Sequence, residues 1–327
     1  MNLPTYDDVE RAAAIIASES VTTPLIESHL LNERLNARVF LKAECLQRTG
    51  SFKFRGAFNA LSRLSDSVRE TGLLATSSGN HAQGVAEAAR LLGYRATIVM
   101  PADAPTAKKA RTRRSGGTVV EYDRYTGDRD AIVNAMADEA GAPVVHPYDN
   151  FDVIAGQGTM GLEIAEALKG KGLICDRALV CAGGGGLMSG TLIALKYHFP
   201  EVKVHPVEPE YYDDHRLSQE AGKICDADTS KSSVCDAILA PRPGEMAFAI
   251  GKNRLAPGLV ITDEEALHAV AFAFHELNLV VEPGGAAALA ALLAGKVAVD
   301  GEVVVATLSG GNIDPQMLQR ALATYTG

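Results

Sequence analysis

The sequence predicts an α/β protein whose strands are mostly parallel and buried on both faces. Short β-branched runs alternate with helix-length patterns along most of the chain, and several of those runs lack the polar alternation of a half-exposed strand. Glycine-marked turns also close strands and open the helices that follow. In chain order the expected strands are Val39–Leu41, Ala96–Met100, Thr118–Tyr122, Arg177–Cys181, Val202–Val207 and Val303–Leu308. Helical spacing marks the amino terminus and the stretches Ala82–Leu92, Gly158–Leu168 and Asp263–Leu277. The last opens on Thr262 with Glu265 three residues on, the capping-box spacing. There is no internal repeat and no low-complexity linker, so a second domain is expected as an insertion in one continuous architecture.

Composition narrows the function classes. The 327 residues are 47% hydrophobic and 22% charged, which describes a globular chain long enough for one large or two modest cores. A net charge of −9 argues against nucleic acid or an anionic membrane as the main partner. The local basic clusters Lys108-Lys109 and Arg113-Arg114 read as a solvated helix face. Cys45, Cys175, Cys181, Cys225 and Cys235 are scattered, without a CxxC pair or a histidine at metal-ligand spacing, and read as idle thiols in a reducing compartment. The amino terminus lacks the order of a secretory signal, and the longest apolar run, Gly284 to Ala294, is too short to span a bilayer. A cytoplasmic location is expected.

Four glycine-marked segments carry the chemistry. Gly183-Gly184-Gly185-Gly186 follows a strand and opens a helix, so its N–H groups and the helix N-terminus make an anion site suited to a phosphate. A dinucleotide fold competes here, because Glu208 ends the next strand where a ribose-binding acid would sit, although Met188 stands where GxGxxG needs glycine. In Ser51-Phe52-Lys53-Phe54-Arg55-Gly56 a lysine lies between two phenylalanines. Desolvation there would make it a nucleophile, while a solvated helix start is an equal reading of the segment alone. Ser77-Ser78-Gly79-Asn80-His81 presents small donors at a helix start, or plain capping. Leu308-Ser309-Gly310-Gly311-Asn312 closes a buried strand where open α/β sheets bind ligands.

Taken in order with Thr23-Leu25, Val153–Thr159 and the Val-Glu-Pro at Glu208, these segments resemble the fold type II pyridoxal-phosphate enzymes, in particular the serine/threonine dehydratase and serine racemase group. The resemblance covers nearly the whole chain, and a dinucleotide enzyme has no use for SFKFRG or SSGNH. It implies a tryptophan synthase β-like fold with two domains, each a mostly parallel sheet flanked by helices. The large one would comprise 1–71 and 150–327, and a small mobile one 72–149. It implies pyridoxal 5'-phosphate held by Lys53 as a Schiff base, with Phe52 packed on its ring, Asn80 on the ring hydroxyl, Gly183, Gly184, Gly185 and Gly186 on the phosphate, and Ser309 on the pyridine nitrogen. A neutral serine there tempers the electron sink and favours elimination. Ser77, Ser78 and His81 would lie in the loop that holds the substrate α-carboxylate, with Ser78 as the second acid/base opposite Lys53.

The same resemblance implies a divalent-cation site at Glu208, Asp214 and the backbone carbonyl of Tyr212, where oxygen ligands suit magnesium, or calcium or manganese. The implied reaction is β-elimination of water from a 3-hydroxy amino acid to a 2-oxo acid and ammonia. Arg129 could read a β-carboxylate, which tilts the substrate toward 3-hydroxyaspartate over threonine or serine; a surface arginine beside Asp128 and Asp130 is the plainer reading. Arg242 is a weaker candidate reader. Serine or aspartate racemisation is the alternative activity, and a binding protein without turnover a distant one. Ile238-Leu239-Ala240 stands where the racemases carry serines, which weighs against racemisation. A homodimer is expected from the family, and isoleucine feedback through a carboxy-terminal regulatory domain is not.

Overall fold

The computed structural model describes every residue except Ser78, Pro105, Arg124, Tyr125, Thr326 and Gly327, and only the backbone of Ala107 and Asp130. Its strands are β1 (Leu25–Glu27), β2 (Arg38–Lys42), β3 (Leu73–Thr76), β4 (Ala96–Pro101), β5 (Thr118–Tyr122), β6 (Arg177–Cys181), β7 (Lys203–Pro209), β8 (Leu259–Ile261) and β9 (Val303–Thr307). The helices are α1 (Tyr6–Ile16), α2 (His29–Leu35), α3 (Lys53–Ser62), α4 (Val68–Thr71), α5 (Asn80–Leu92), α6 (Thr106–Arg114) and α7 (Arg129–Ala140). They continue with α8 (Phe151–Gly170), α9 (Gly186–His198), α10 (Asp214–Ala221), α11 (Glu245–Gly251), α12 (Asp263–Leu277), α13 (Ala287–Leu293) and α14 (Pro315–Leu322).

Six strands form one sheet in the order β1-β2-β9-β6-β7-β8, parallel except for β1. β3, β4 and β5 form a second, wholly parallel sheet. Parallel neighbours need a crossover, and the crossing helices bury both sheet faces, which is why these strands read as continuous apolar runs. Side chains alternate across the large sheet. Val304 and Ala306 pack with Leu179, Val270 and Leu289, whereas Val305 packs with Val180, Val204 and Ile154. The alanines of α13 are buried against the sheet, because small side chains let the helix approach closely.

A third cluster decides where the chemistry sits. Phe54, Phe58 and Leu61 of α3 pack with Val85 and Ala88 of α5 and Ile98 of β4, and α3 also packs on α8. The helix that begins at Lys53 therefore bridges the two sheets. A buried ion network pins its first turn. Arg55 Nε donates to Glu44 at 2.8 Å and its Nη1 to Glu163 at 2.6 Å, and Lys42 Nζ pairs with Glu163 at 2.5 Å. Burial alone would raise the Glu44 carboxyl, but the Arg55 guanidinium overrides it and holds it below the usual carboxylate range.

The expected strands appear in place, and Thr262 and Glu265 form the capping box through reciprocal bonds of 3.1 and 2.8 Å. Two differences have physical causes. Helix α8 starts before Gly158, because the Asn150 side chain accepts from the Val153 amide at 3.0 Å and nucleates an earlier turn. Strands β1 and β8 are too short for a periodic signal and exist by pairing with β2 and β7. No helix among the described residues is long and apolar enough to cross a membrane.

Candidate active site

A cavity of about 520 Å3 opens beside the residues that follow β3 and β6, between the two sheets. Lys53 reaches it from the start of α3. Its Nζ donates to the Pro147 carbonyl at 2.8 Å and lies 5.1 Å from the Phe52 ring centroid. Burial pushes the amine down to about 8 from the ordinary 10.5. The solvated-helix reading of this lysine is thereby set aside.

The four glycines line the same cavity. The carbonyls of Gly183, Gly184 and Gly185 accept from His215 Nε2, the Gly244 amide and the Ser189 amide, at 2.7, 3.0 and 2.9 Å. In a trans peptide the N–H points opposite its carbonyl, so the N–H edges turn away from these protein donors, at the start of α9. Glycine is required twice over. Gly185 has φ +92°, and a Cβ on Gly184 would come 2.2 Å from the Tyr148 ring.

Asn80, Ser77 and His81 line the cavity at the start of α5; Ser78 lies outside the described residues. Ser77 Oγ accepts from the Gly79 amide at 3.0 Å. His81 Nε2 donates to the Val145 carbonyl at 3.0 Å, and burial and the nearby Lys53 charge push the ring down to about 3, so it is neutral. The Asn80 amide is held on both sides. Its Nδ2 donates to Glu282 Oε1 at 2.5 Å, and its Oδ1 accepts from Asn312 Nδ2 at 2.8 Å, while Asn312 accepts from Arg111 at 2.8 Å. Burial raises Glu282 to about 7. Ser309 is buried just beyond β9, its carbonyl accepting from the Phe52 amide at 3.1 Å.

Arg129 also lines the cavity, from the start of α7. Lys108 lines it too and forms an ion pair with Asp236, which corrects its assignment to a solvated face. Sequence spacing alone could not show that α6 faces the cleft through Lys108. Arg113 and Arg114 are exposed, Arg113 pairing with Glu121, whereas the Lys109 side chain is largely covered and also pairs with Glu121. Arg242 is exposed and paired with Asp226 at 2.9 Å, away from the cavity-lining set, whereas Ile238, Leu239 and Ala240 contribute apolar wall.

A second polar cluster lies behind the glycine turn. Glu208 and Asp214 are buried, and His215 joins them, with ligand atoms of all three within 4.8 Å. Glu208 accepts from the His215 and Arg216 amides at 2.8 and 3.0 Å, but neither Asp214 oxygen has a hydrogen-bond partner among the described residues. Burial raises both carboxyls, with repulsion from Asp214 adding to it at Glu208 and repulsion from Asp213 and Asp226 at Asp214. Tyr212 is buried beside them, its hydroxyl donating to the Lys231 carbonyl at 2.9 Å. A pair of buried carboxylates, one of them with both oxygens orphaned among the described residues, fits a hard cation.

The profile of the family described as pyridoxal-phosphate dependent enzymes matches residues 17–310. The chain belongs to the pyridoxal-phosphate-dependent enzymes. Over 314 residues it is 43% identical to an L-threo-3-hydroxyaspartate ammonia-lyase of a Pseudomonas species, covering 96% of this chain and 97% of that one. It is 40% identical to the serine racemase of Schizosaccharomyces pombe, with 95% of each covered. Among solved structures, the serine racemase of maize superposes with a TM-score of 0.91 at 31% identity, covering 98% of each chain.

As a pyridoxal-phosphate enzyme, the chain presents in one cavity a desolvated amine and an anion cradle, the two features the aldehyde and phosphate of that cofactor require. Several residues around them escaped the sequence reading. Glu282 carried a signal, since Val281-Glu282-Pro283 repeats the Val-Glu-Pro at Glu208. Asn312 stood in the LSGGN segment without a role. Tyr148 and His215 had no local signal, because their significance is contact with a loop distant in sequence.

Proposed function

We propose that the chain is an ammonia-lyase that removes water from a 3-hydroxy amino acid, 3-hydroxyaspartate before threonine or serine, releasing a 2-oxo acid and ammonia. The observation that carries this reading is the Lys53 amine, desolvated inside the cavity that the glycine turn and the Ser77–His81 loop also line. Lys53 would hold pyridoxal phosphate covalently, the N–H edges of Gly183–Gly186 its phosphate, Asn80 its ring hydroxyl, Phe52 one ring face and Ser309 its ring nitrogen. When bound, that cofactor supplies the electron sink that acidifies the substrate α-proton.

The protein's own residues do the rest. Lys53 Nζ takes the proton from the α-carbon, and the β-hydroxyl departs as water once protonated. The amide held by Glu282 and Asn312 keeps Asn80 from rotating. The N-terminus of α5, with Ser77 and Ser78, binds the α-carboxylate, and His81, neutral, orients that loop through Val145. Arg129 meets a β-carboxylate. Glu208, Asp214 and the Tyr212 carbonyl hold a magnesium or similar ion. Residues 72–149 act as the smaller unit that closes over substrate and excludes water.

The relatives support this reading, since one bears the name of an ammonia-lyase for 3-hydroxyaspartate. The test is a panel of serine, threonine and the 3-hydroxyaspartate stereoisomers, assayed for 2-oxo acid and ammonia, with chiral analysis of recovered substrate. Release of both products from a hydroxy amino acid is expected, and Lys53→Ala should abolish it. Inversion without release would establish racemisation instead.

A further inference from the structure

His215 links the buried oxygen cluster to the glycine turn. Its backbone N–H donates to Glu208 Oε1 at 2.8 Å and its ring Nε2 bonds the Gly183 carbonyl at 2.7 Å. A carbonyl only accepts, so the ring proton sits on Nε2. The ring also lies against Gly185, where a Cβ would come 2.6 Å from its Cε1. The preceding residue, Asp214, is 1% exposed, with both carboxylate oxygens unpartnered among the described residues. One buried residue thus touches the cation cluster through its main chain and the phosphate cradle through its side chain.

We propose that His215 is a positioning residue that couples cation binding at Glu208 and Asp214 to the grip of the glycine turn on the cofactor phosphate. The inference rests on the cation reading above. Two buried carboxylates repel, and a cation between them draws the first turn of α10 to a fixed place. His215 moves with that turn. Its bond fixes the Gly183–Gly184 peptide plane, and the Gly184 N–H across that plane is then aimed at the phosphate. By linkage, the cofactor must tighten the cation by the same factor as the cation tightens the cofactor.

The test measures Mg2+ binding by calorimetry to the cofactor-loaded and cofactor-stripped protein, and the 31P resonance of the bound cofactor with and without Mg2+. In the wild-type chain Mg2+ should bind the loaded form about fivefold or more tightly than the stripped form, and should shift the phosphate resonance. His215→Phe keeps a ring of similar bulk and loses the donor. It should still bind Mg2+, with equal affinity in the two forms and no 31P shift. His215→Gln restores an N–H donor and should recover part of the ratio. An undiminished ratio in His215→Phe overturns the inference, as does a wild-type resonance indifferent to Mg2+, a readout that needs no variant. Failure of the wild-type protein to bind Mg2+ at all overturns the cation reading itself, and calorimetry separates that result from the others.

Discussion

The depressed Lys53 amine makes a quantitative prediction about cofactor capture. At an ordinary value of 10.5 about three amines in ten thousand are neutral at pH 7, whereas at about 8 roughly one in ten is, a gain of about 300-fold in the nucleophilic form. The lower basicity takes back part of that gain, so the position of the inflection is the cleaner observable. The cause is burial, so the profile should be insensitive to salt. The assay is stopped-flow absorbance after mixing cofactor-stripped protein with pyridoxal phosphate between pH 6 and 10.5. N-acetyl-lysine methylamide run in parallel divides out the ionisations of the cofactor. The corrected second-order rate constant should rise tenfold per pH unit and level off near pH 8. Continued rise to an inflection near 10 would mean that Lys53 is solvated, and the desolvation argument for the site would fall with it.

Other consequences follow from the same geometry. Arg129→Gln should lower kcat/KM for 3-hydroxyaspartate by about tenfold, the low end for a charge-assisted contact because this arginine is exposed, and leave serine turnover within about twofold. Equal losses on both substrates would remove Arg129 as a β-carboxylate reader. Arg55→Met strands Glu44 and leaves Glu163 paired with Lys42 alone, and should cost about 3–5 kcal/mol in urea unfolding; a loss under about 1 kcal/mol would show that the network is solvated in practice. Chelating divalent cations should destabilise the wild-type chain, by about 2.7 kcal/mol if the ion was present at a hundred times its Kd. Asp214→Asn should make thermal stability indifferent to the chelator, and differential scanning calorimetry reads both.

How much was legible in the sequence depends on the range of the interaction. β6 and β9 were legible, since burial on both faces forces an apolar run with no partner needed to recognise it. The capping box at Thr262 was legible because both partners lie within one turn. The glycine turn was legible as an anion site, but not the reason Gly184 cannot carry a side chain, which is a tyrosine 36 residues away in the chain. Lys53 was ambiguous alone, because a lysine flanked by phenylalanines is desolvated or exposed according to what packs on α3, and α5 and α8 are remote segments. Lys108 was misread for the same reason: its partner Asp236 is over a hundred positions on.

The charge arrangement also bears on how a chain of net charge −9 would admit the doubly acidic substrate proposed for it. Net charge acts over distances that physiological salt screens to about 8 Å, so it does not govern a partly enclosed cavity. Within the cavity the N-terminal ends of α5 and α9 each bring partial positive charge, one beside the Ser77–His81 loop and one beside the glycine turn. Lys108 and Arg129 also line the cavity, and Lys108 is paired with Asp236. A β-carboxylate that approaches Lys108 therefore competes with Asp236 for its charge. Asp236→Asn should accordingly lower KM for 3-hydroxyaspartate, because it frees Lys108, while serine, which has no second carboxylate, should show no gain. An equal change for both substrates in steady-state assays would mean that the Lys108–Asp236 pair serves cavity shape and not substrate charge.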